Sequence, residues 1–274
     1  MTITNLLRIA LVAIVFAASS AHAGPFILAG TDADDHGGQN SDGSNRDGWV
    51  FMQKALENIA PGVTNGNTTV AILGSSGSAG TAANSAFNLS SLAGAGGWNV
   101  ETISVSDFDS FFDGTATTSV NKVGILMMDS GRNVGGGVDG AEFTSYATAI
   151  DNFVGAGGGL FSQANGYEWL SALLPDVTTA SEFRTGITLT ADGQAAFPGL
   201  TNADLSAGPH HNRFENFSPL FELGVNSQGS AIIIGSAGGS ITNPEPPASV
   251  PEPGSLALFG LGLAGLSLVR RHKR

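Results

Sequence analysis

The chain has 274 residues, 42% of them hydrophobic and only 12% charged, with 39 glycines and a formal net charge of −12. It has no cysteine, which excludes a disulfide framework, Cys-ligated zinc, an iron–sulfur cluster and a Cys nucleophile. The acidic balance excludes a nucleic-acid partner, which needs a basic footprint, and the apolar fraction excludes a disordered chain.

Residues 1–23 open with the cation Arg8, continue through the apolar stretch Ile9–Ala18 and end in Ala21-His22-Ala23. A positive start, a short apolar run and a small-x-small site make a secretory signal peptide. Its partners are the Sec translocon and signal peptidase. An uncleaved anchor would need a longer apolar run.

Residues 24–242 read as one domain, long enough to bury one core. Setting aside Arg8, the four tail cations, Glu245 and Glu252 leaves six basic and 21 acidic residues in it, a charge of about −15. Such a charge keeps an exported domain soluble and draws cations. Pro25–Ala29 is a short apolar run of the kind found in buried parallel strands. Gly48–Ala60 carries apolar residues at helical spacing, and Pro61-Gly62 stops it. Thr68–Leu73 reads as a strand, Thr81–Leu92 as a small-residue helix and Val100–Val105 as a strand. Lys122–Met128 is the strongest strand signal. Glu142–Val154 reads as an amphipathic helix, and a glycine turn leads into Leu160–Gln163. Gly166–Leu174 starts another helix, ended by Pro175, and Ala231–Ile234 is a late strand. Strands alternating with helices predict a parallel sheet with helices on both faces and right-handed crossovers.

Ligands of such sheets bind beyond the carboxyl ends of the strands. The loop after the first strand holds Asp32, Asp34, Asp35 and His36, which can ligate a hard cation. The spacing is not that of a calcium-binding loop, and the other reading is a solvated loop whose Asp side chains cap its turns. Asp129-Ser130-Gly131-Arg132 follows the strongest strand. His210 and His211 form a pair in a polar segment, either metal ligands and bases or an inert exposed pair. Together these residues make a divalent cation a candidate cofactor. The Gly74–Gly80 turn has neither a dinucleotide fingerprint nor a Walker pattern and reads as a flexible connection.

After a Pro-rich linker at residues 243–250 come Pro251-Glu252-Pro253, an apolar run from Leu256 to Val269 and Arg270-Arg271-His272-Lys273-Arg274. Basic residues after the run keep the tail cytoplasmic, and the run is marginal for spanning a bilayer. This order of three unlike features resembles the PEP-CTERM sorting signal, placed here at residues 251–274. The resemblance implies an exosortase as partner, transient tethering in the inner membrane through a transmembrane helix, and passage to the cell surface or the extracellular matrix. It also implies a host that makes exopolysaccharide, hence a role in biofilm.

The stretch Ala156–Leu170, a glycine-rich turn, a short strand and Ala164-Asn165-Gly166, resembles the class I glutamine amidotransferase-like superfamily. That implies a flavodoxin-like three-layer sandwich with a mainly parallel sheet. In that superfamily the elbow usually holds a Cys nucleophile; here Ala164 stands in its place and has no nucleophilic atom. No catalytic residue is therefore assigned. Two functions follow from different classes. One is a non-catalytic surface domain that binds glycan or cation. The other is a hydrolase, metal-assisted or using a displaced nucleophile, with Asp32, Asp34, His36, His210 and His211 converging at the strand ends.

Overall fold

The computed structural model describes residues 24–128, 135–163 and 166–235. The signal peptide, the Asp129–Arg132 loop, Ala164, Asn165, the linker and the sorting tail lie outside them. The chain divides after Asn243 into two units, and all described residues belong to the first.

The first strand, β1 (Phe26–Ala29), leads to a small hairpin of β2 (Gly37–Gln39) and β3 (Asn45–Asp47), then to α1 (Gly48–Ile59). There follow β4 (Thr69–Leu73), α2 (Gly77–Asn88), β5 (Asn99–Ile103), α3 (Phe108–Phe112), β6 (Ile125–Met128), α4 (Ala147–Gly155) and β7 (Gly159–Gln163). The last third holds β8 (Thr178–Thr185), β9 (Ile187–Leu189), α5 (Ala191–Ala196), α6 (Asn202–Leu205), β10 (Pro209–Glu215), β11 (Phe221–Asn226) and β12 (Ala231–Gly235).

Five of these strands form a parallel block in the order β5-β4-β6-β7-β1. Counted from β4, that is the flavodoxin-like order 2-1-3-4-5, with the fifth place filled by the strand that comes first in the chain. The sheet is thus compatible with the expected fold, but it does not stay parallel. From β1 outward it continues antiparallel through β12, β10 and β8, and through β11 and β9. The late strand expected at Ala231–Ile234 is β12, and it runs against β1.

Alternate strand residues feed two cores. Ile27, Val70, Ile72, Met127 and Phe161 pack with α1 and α2 on one face. Phe26, Leu28, Leu73, Leu126 and Leu160 pack with α3 and α4 on the other. Small residues let the layers close: Ala79, Ala82, Ala83 and Ala86 form the buried side of α2, and a side chain at Gly159 would strike Ile59. The connections β1→β4 and β4→β5 run one way across the sheet on the first face. The connections β5→β6 and β6→β7 run the opposite way on the second, as a single crossover hand requires.

Three local expectations change. The helix expected at Gly166–Leu174 is only a 3₁₀ turn at Leu170–Ala172. Tyr167 fixes that segment instead: its buried hydroxyl donates to the carbonyls of Ala29 (2.8 Å) and Ser162 (3.0 Å) and accepts from the amide of Ala29. Residues 140–146 form a 3₁₀ helix before α4, where one continuous helix was expected. The His210–His211 segment is a strand, β10, rather than a loop.

Among the described residues no helix is long and apolar enough to cross a membrane.

Candidate functional site

Between β7 and β1 the connections part to the two faces. The chain leaves β1 toward the α1 face and leaves β7 toward the α4 face, where Tyr167, Trp169 and Leu170 are buried. In the flavodoxin-like order the usual ligand site is the switch point between β4 and β6, whose connections part to opposite faces; the β7–β1 boundary is a second such point. The first loop spans it. Thr31 Oγ1 donates to Gln163 Oε1 (3.2 Å), and Gln163 Nε2 donates to Asp34 Oδ1 (3.3 Å). Trp49 Nε1 donates to the Asp34 carbonyl (2.8 Å) and ties the loop to α1. Gln163 is fully buried, and Asp32 and Asp34 are 5% and 3% exposed.

The β8–β10 pair stands over this end of the sheet. On β12, Ala231 pairs with Phe214 and Val225, while Ile233 pairs with Ala29 and Gly224. Strands β1 and β10 therefore share one edge of β12, with β10 beyond the end of β1. Thr31 bridges His210, and the amides of His211 and Asn212 both donate to the Gly30 carbonyl. Only glycine permits this approach, because a Cβ at Gly30 would overlap the Asn212 carbonyl.

This geometry brings part of the predicted set together. His211 Nε2 lies 3.2 Å and His36 Nε2 3.4 Å from the same oxygen, Asp32 Oδ2. Asp35 sits close by: burial, then the neighbouring Asp32, raise its carboxyl above the usual range, while His36 and His211 pull it down. A cavity of about 10 Å³ lies beside Thr31, Asp32 and His36, room for about one water molecule. Among the described residues, no three His, Asp or Glu groups are placed to hold a metal ion. Asp34 turns toward Gln163.

His210 belongs to a different cluster, one that sequence reasoning missed. It is fully buried, and its Nδ1 has no hydrogen-bond partner among the described residues. Its Nε2 lies 3.5 Å from Asn226 Nδ2, which donates at 2.6 Å to Glu182 Oε1. Arg184 Nε (2.9 Å) and Arg213 Nη1 (3.2 Å) also donate to the Glu182 carboxylate. Burial disfavours the Glu182 anion, but the Arg213, Asn226 and Arg184 hydrogen bonds outweigh it and hold its pKa below the usual 4.5. Burial lowers the His210 pKa below 6.5, with Glu182 pulling the other way. No apolar periodicity marks Glu182 or Asn226, so no sequence signal could have found them.

These shifts set an expected pH response. The unfolded chain takes up a proton at residue 210 near pH 6.5 before the folded chain does, so stability falls as pH drops through that value. Glu182 contributes stability above pH 4.5 that is lost below it. Asp35 and Glu222, both raised by burial, act with the opposite sign and only in the carboxylate range. The histidine limb is therefore the diagnostic one. The melting temperature should fall between about pH 7.5 and 5.5, and that fall should be smaller in His210→Gln. An equal fall in the variant would remove His210 from the account.

The glycine turn after β4 is held rather than flexible. The amides of Ser76 and Ala79 donate to the carbonyls of Gly136 (2.9 Å) and Gly135 (3.0 Å). Donors at a helix start are what an anion needs, and here carbonyls use them.

Residues 249–274 match the family model of the PEP-CTERM protein-sorting motif. The match supports an exported PEP-CTERM protein, recognised by an exosortase at the cell envelope or surface. Compared with the curated proteins and with the solved structures, the chain matches none. The likeness of the core to the glutamine amidotransferase-like superfamily draws no support from these comparisons.

Proposed function

We propose that the protein is a surface-delivered binding module made as a precursor in four parts: signal peptide 1–23, α/β domain 24–242, linker 243–250 and sorting signal 251–274. It enters through the Sec translocon, is cut by signal peptidase, and is held in the inner membrane by its tail. An exosortase reading Pro251-Glu252-Pro253 then passes it to the surface or the extracellular matrix. The sorting motif at residues 249–274 carries this reading.

In this reading the domain is an amidotransferase-like relative without the thiol chemistry, since Ala164 holds the elbow before Asn165-Gly166 and the chain has no cysteine. Its site, with His211 and His36 on Asp32, binds a ligand, either glycan of the surrounding exopolysaccharide or a cation. A thermal-shift screen of the purified full chain tests this, with calcium, magnesium, manganese and zinc salts and soluble neutral and acidic polysaccharides as probes. A ligand at a hundred times its Kd stabilises by about 2.7 kcal/mol. At least one probe should raise the melting temperature of the wild type and not of His211→Gln. No shift with any probe contradicts the binding role.

One observation favours a second reading, hydrolysis outside the cytoplasm. A carboxylate holding an imidazole is the usual means of orienting a general base, and Asp32 holds two. That reading expects turnover of a simple ester such as p-nitrophenyl acetate, lost in His211→Gln. Equal turnover by the variant would end it.

A further inference from the structure

Strand β8 is the longest strand described, eight residues from Thr178 to Thr185, and its one partner among the described strands is β10. Its other edge has no strand partner among the described residues. Phe183 is 76% exposed, the most exposed large apolar side chain among the described residues. The register shifts between His210 and Asn212, so Glu182 and Phe183 together oppose His211. The Phe183 ring lies 5.3 Å from the His211 ring and leaves most of its surface to solvent.

We propose that this edge is an interface and that its occupant is a second copy of the chain, paired β8 to β8 about a twofold axis at Phe183. The argument is self-complementarity. Residues 181–185 read Ser-Glu-Phe-Arg-Thr. Run antiparallel against themselves, they set Phe183 opposite Phe183, Glu182 opposite Arg184 and Ser181 opposite Thr185. The aromatic and hydroxyl pairs are ones that stabilise neighbouring strands, and Arg184 brings a charge opposite to that of Glu182, whose buried carboxylate its own chain already engages. A twofold axis at Phe183 makes each off-axis pair occur twice and the Phe183 pair once. Arg184 uses only its Nε among the described residues, toward Glu182, so its two terminal nitrogens are available to the partner.

The outer edge at β5 lacks this property. Strand β5 reads Asn-Val-Glu-Thr-Ile, and pairing about its centre sets Glu101 against Glu101, the kind of charge that keeps edges apart. The bulge in β8 is itself a device that can turn an edge away from pairing, and the experiment separates the two roles.

A chain without cysteine gives a clean background for cross-linking. Directly opposed residues of antiparallel strands have Cα atoms about 4.5–5.5 Å apart, within reach of a disulfide. The purified full chain in mild detergent, under gentle oxidation, should form a covalent dimer as Phe183→Cys. Ser181→Cys and Thr185→Cys should each stay largely monomeric alone and cross-link when mixed. Phe221→Cys, at a residue that is also exposed, is the control and should stay monomeric. All four positions are solvent-facing, so folding is preserved. Phe183→Cys reacting no more than Phe221→Cys overturns the interface. A mixture of Ser181→Cys and Thr185→Cys no more reactive than either alone overturns the register.

Discussion

Phe51→Ala should cost about 3–5 kcal/mol, the range for deleting a fully buried aromatic ring. Phe51 is 0% exposed and sits where three pieces of chain meet. It comes from α1 and packs edge-on against Phe161 of β7 (5.7 Å) and against Phe197 just after α5 (5.5 Å). The ring thus joins the parallel block to the antiparallel extension. For a domain of about two hundred residues such a loss lowers the melting temperature by roughly 6–20 °C. It consumes a large share of a total stability of about 5–15 kcal/mol. Phe221→Ala is the matched control: the same atoms leave a site that is 44% exposed and lies outside the proposed β8 interface, and the change should stay within about 0.5 kcal/mol. Chemical denaturation of both variants checks the pair, and a Phe51→Ala loss under about 1 kcal/mol would contradict a closely packed core on the α1 face.

The other large effect concerns delivery. Glu252→Ala should leave the α/β domain folded with an unchanged melting temperature and yet stop the protein from reaching the surface. The apolar run Leu256–Val269 has 14 residues. At 1.5 Å per residue even a full helix reaches only about 21 Å, short of the roughly 30 Å hydrocarbon core. Hydrophobicity alone therefore gives a weak anchor, and a tripeptide read by an enzyme explains the tail better than the greasy run does. Glu252→Ala leaves the run and the basic end intact, so a change in location would report on recognition. Fractionation of the native host into inner membrane, surface and medium measures it.

The parallel block was readable from sequence because its strands are continuous apolar runs: FILA in β1, TVAIL in β4 and ILMM in β6. Burial on both faces leaves such strands no polar face. Apart from β12, whose run AIIIG read as a strand, the antiparallel extension was not readable for the converse reason. Strand β8 reads TTASEFRT with only Glu182 buried, and β10 reads PHHNRFE with His210 and Asn212 at its inward positions. A strand whose buried residues are polar carries no hydrophobic period to detect. The short 3₁₀ turn where a helix was expected has a similar cause, since Tyr167 and Trp169 are spent on anchoring the chain rather than on a helical face.

The candidate site divides the same way. Asp32, His36 and His211 were found by residue type, and the structure joins them on one carboxylate oxygen. His210 was grouped with them because it is adjacent in sequence, but neighbouring strand residues point to opposite sides, and it belongs with Asn226 and Glu182 instead. Gln163 lay in the Ala156–Leu170 stretch already singled out, yet its bridging of Thr31 and Asp34 depends on β1 lying beside β7. That adjacency joins residues about 130 positions apart.

The central claim is that the C-terminal motif, and not the apolar tail as such, determines the protein's location. The most direct measurement is the intact mass of the protein recovered from the cell surface of its native host, compared with that of the Glu252→Ala chain in the membrane fraction. The surface form should lack the residues before Gly24 and the segment after the Pro-Glu-Pro region, while the variant keeps its tail through Arg274. A surface form that still ends at Arg274, or a variant processed like the wild type, would contradict the claim.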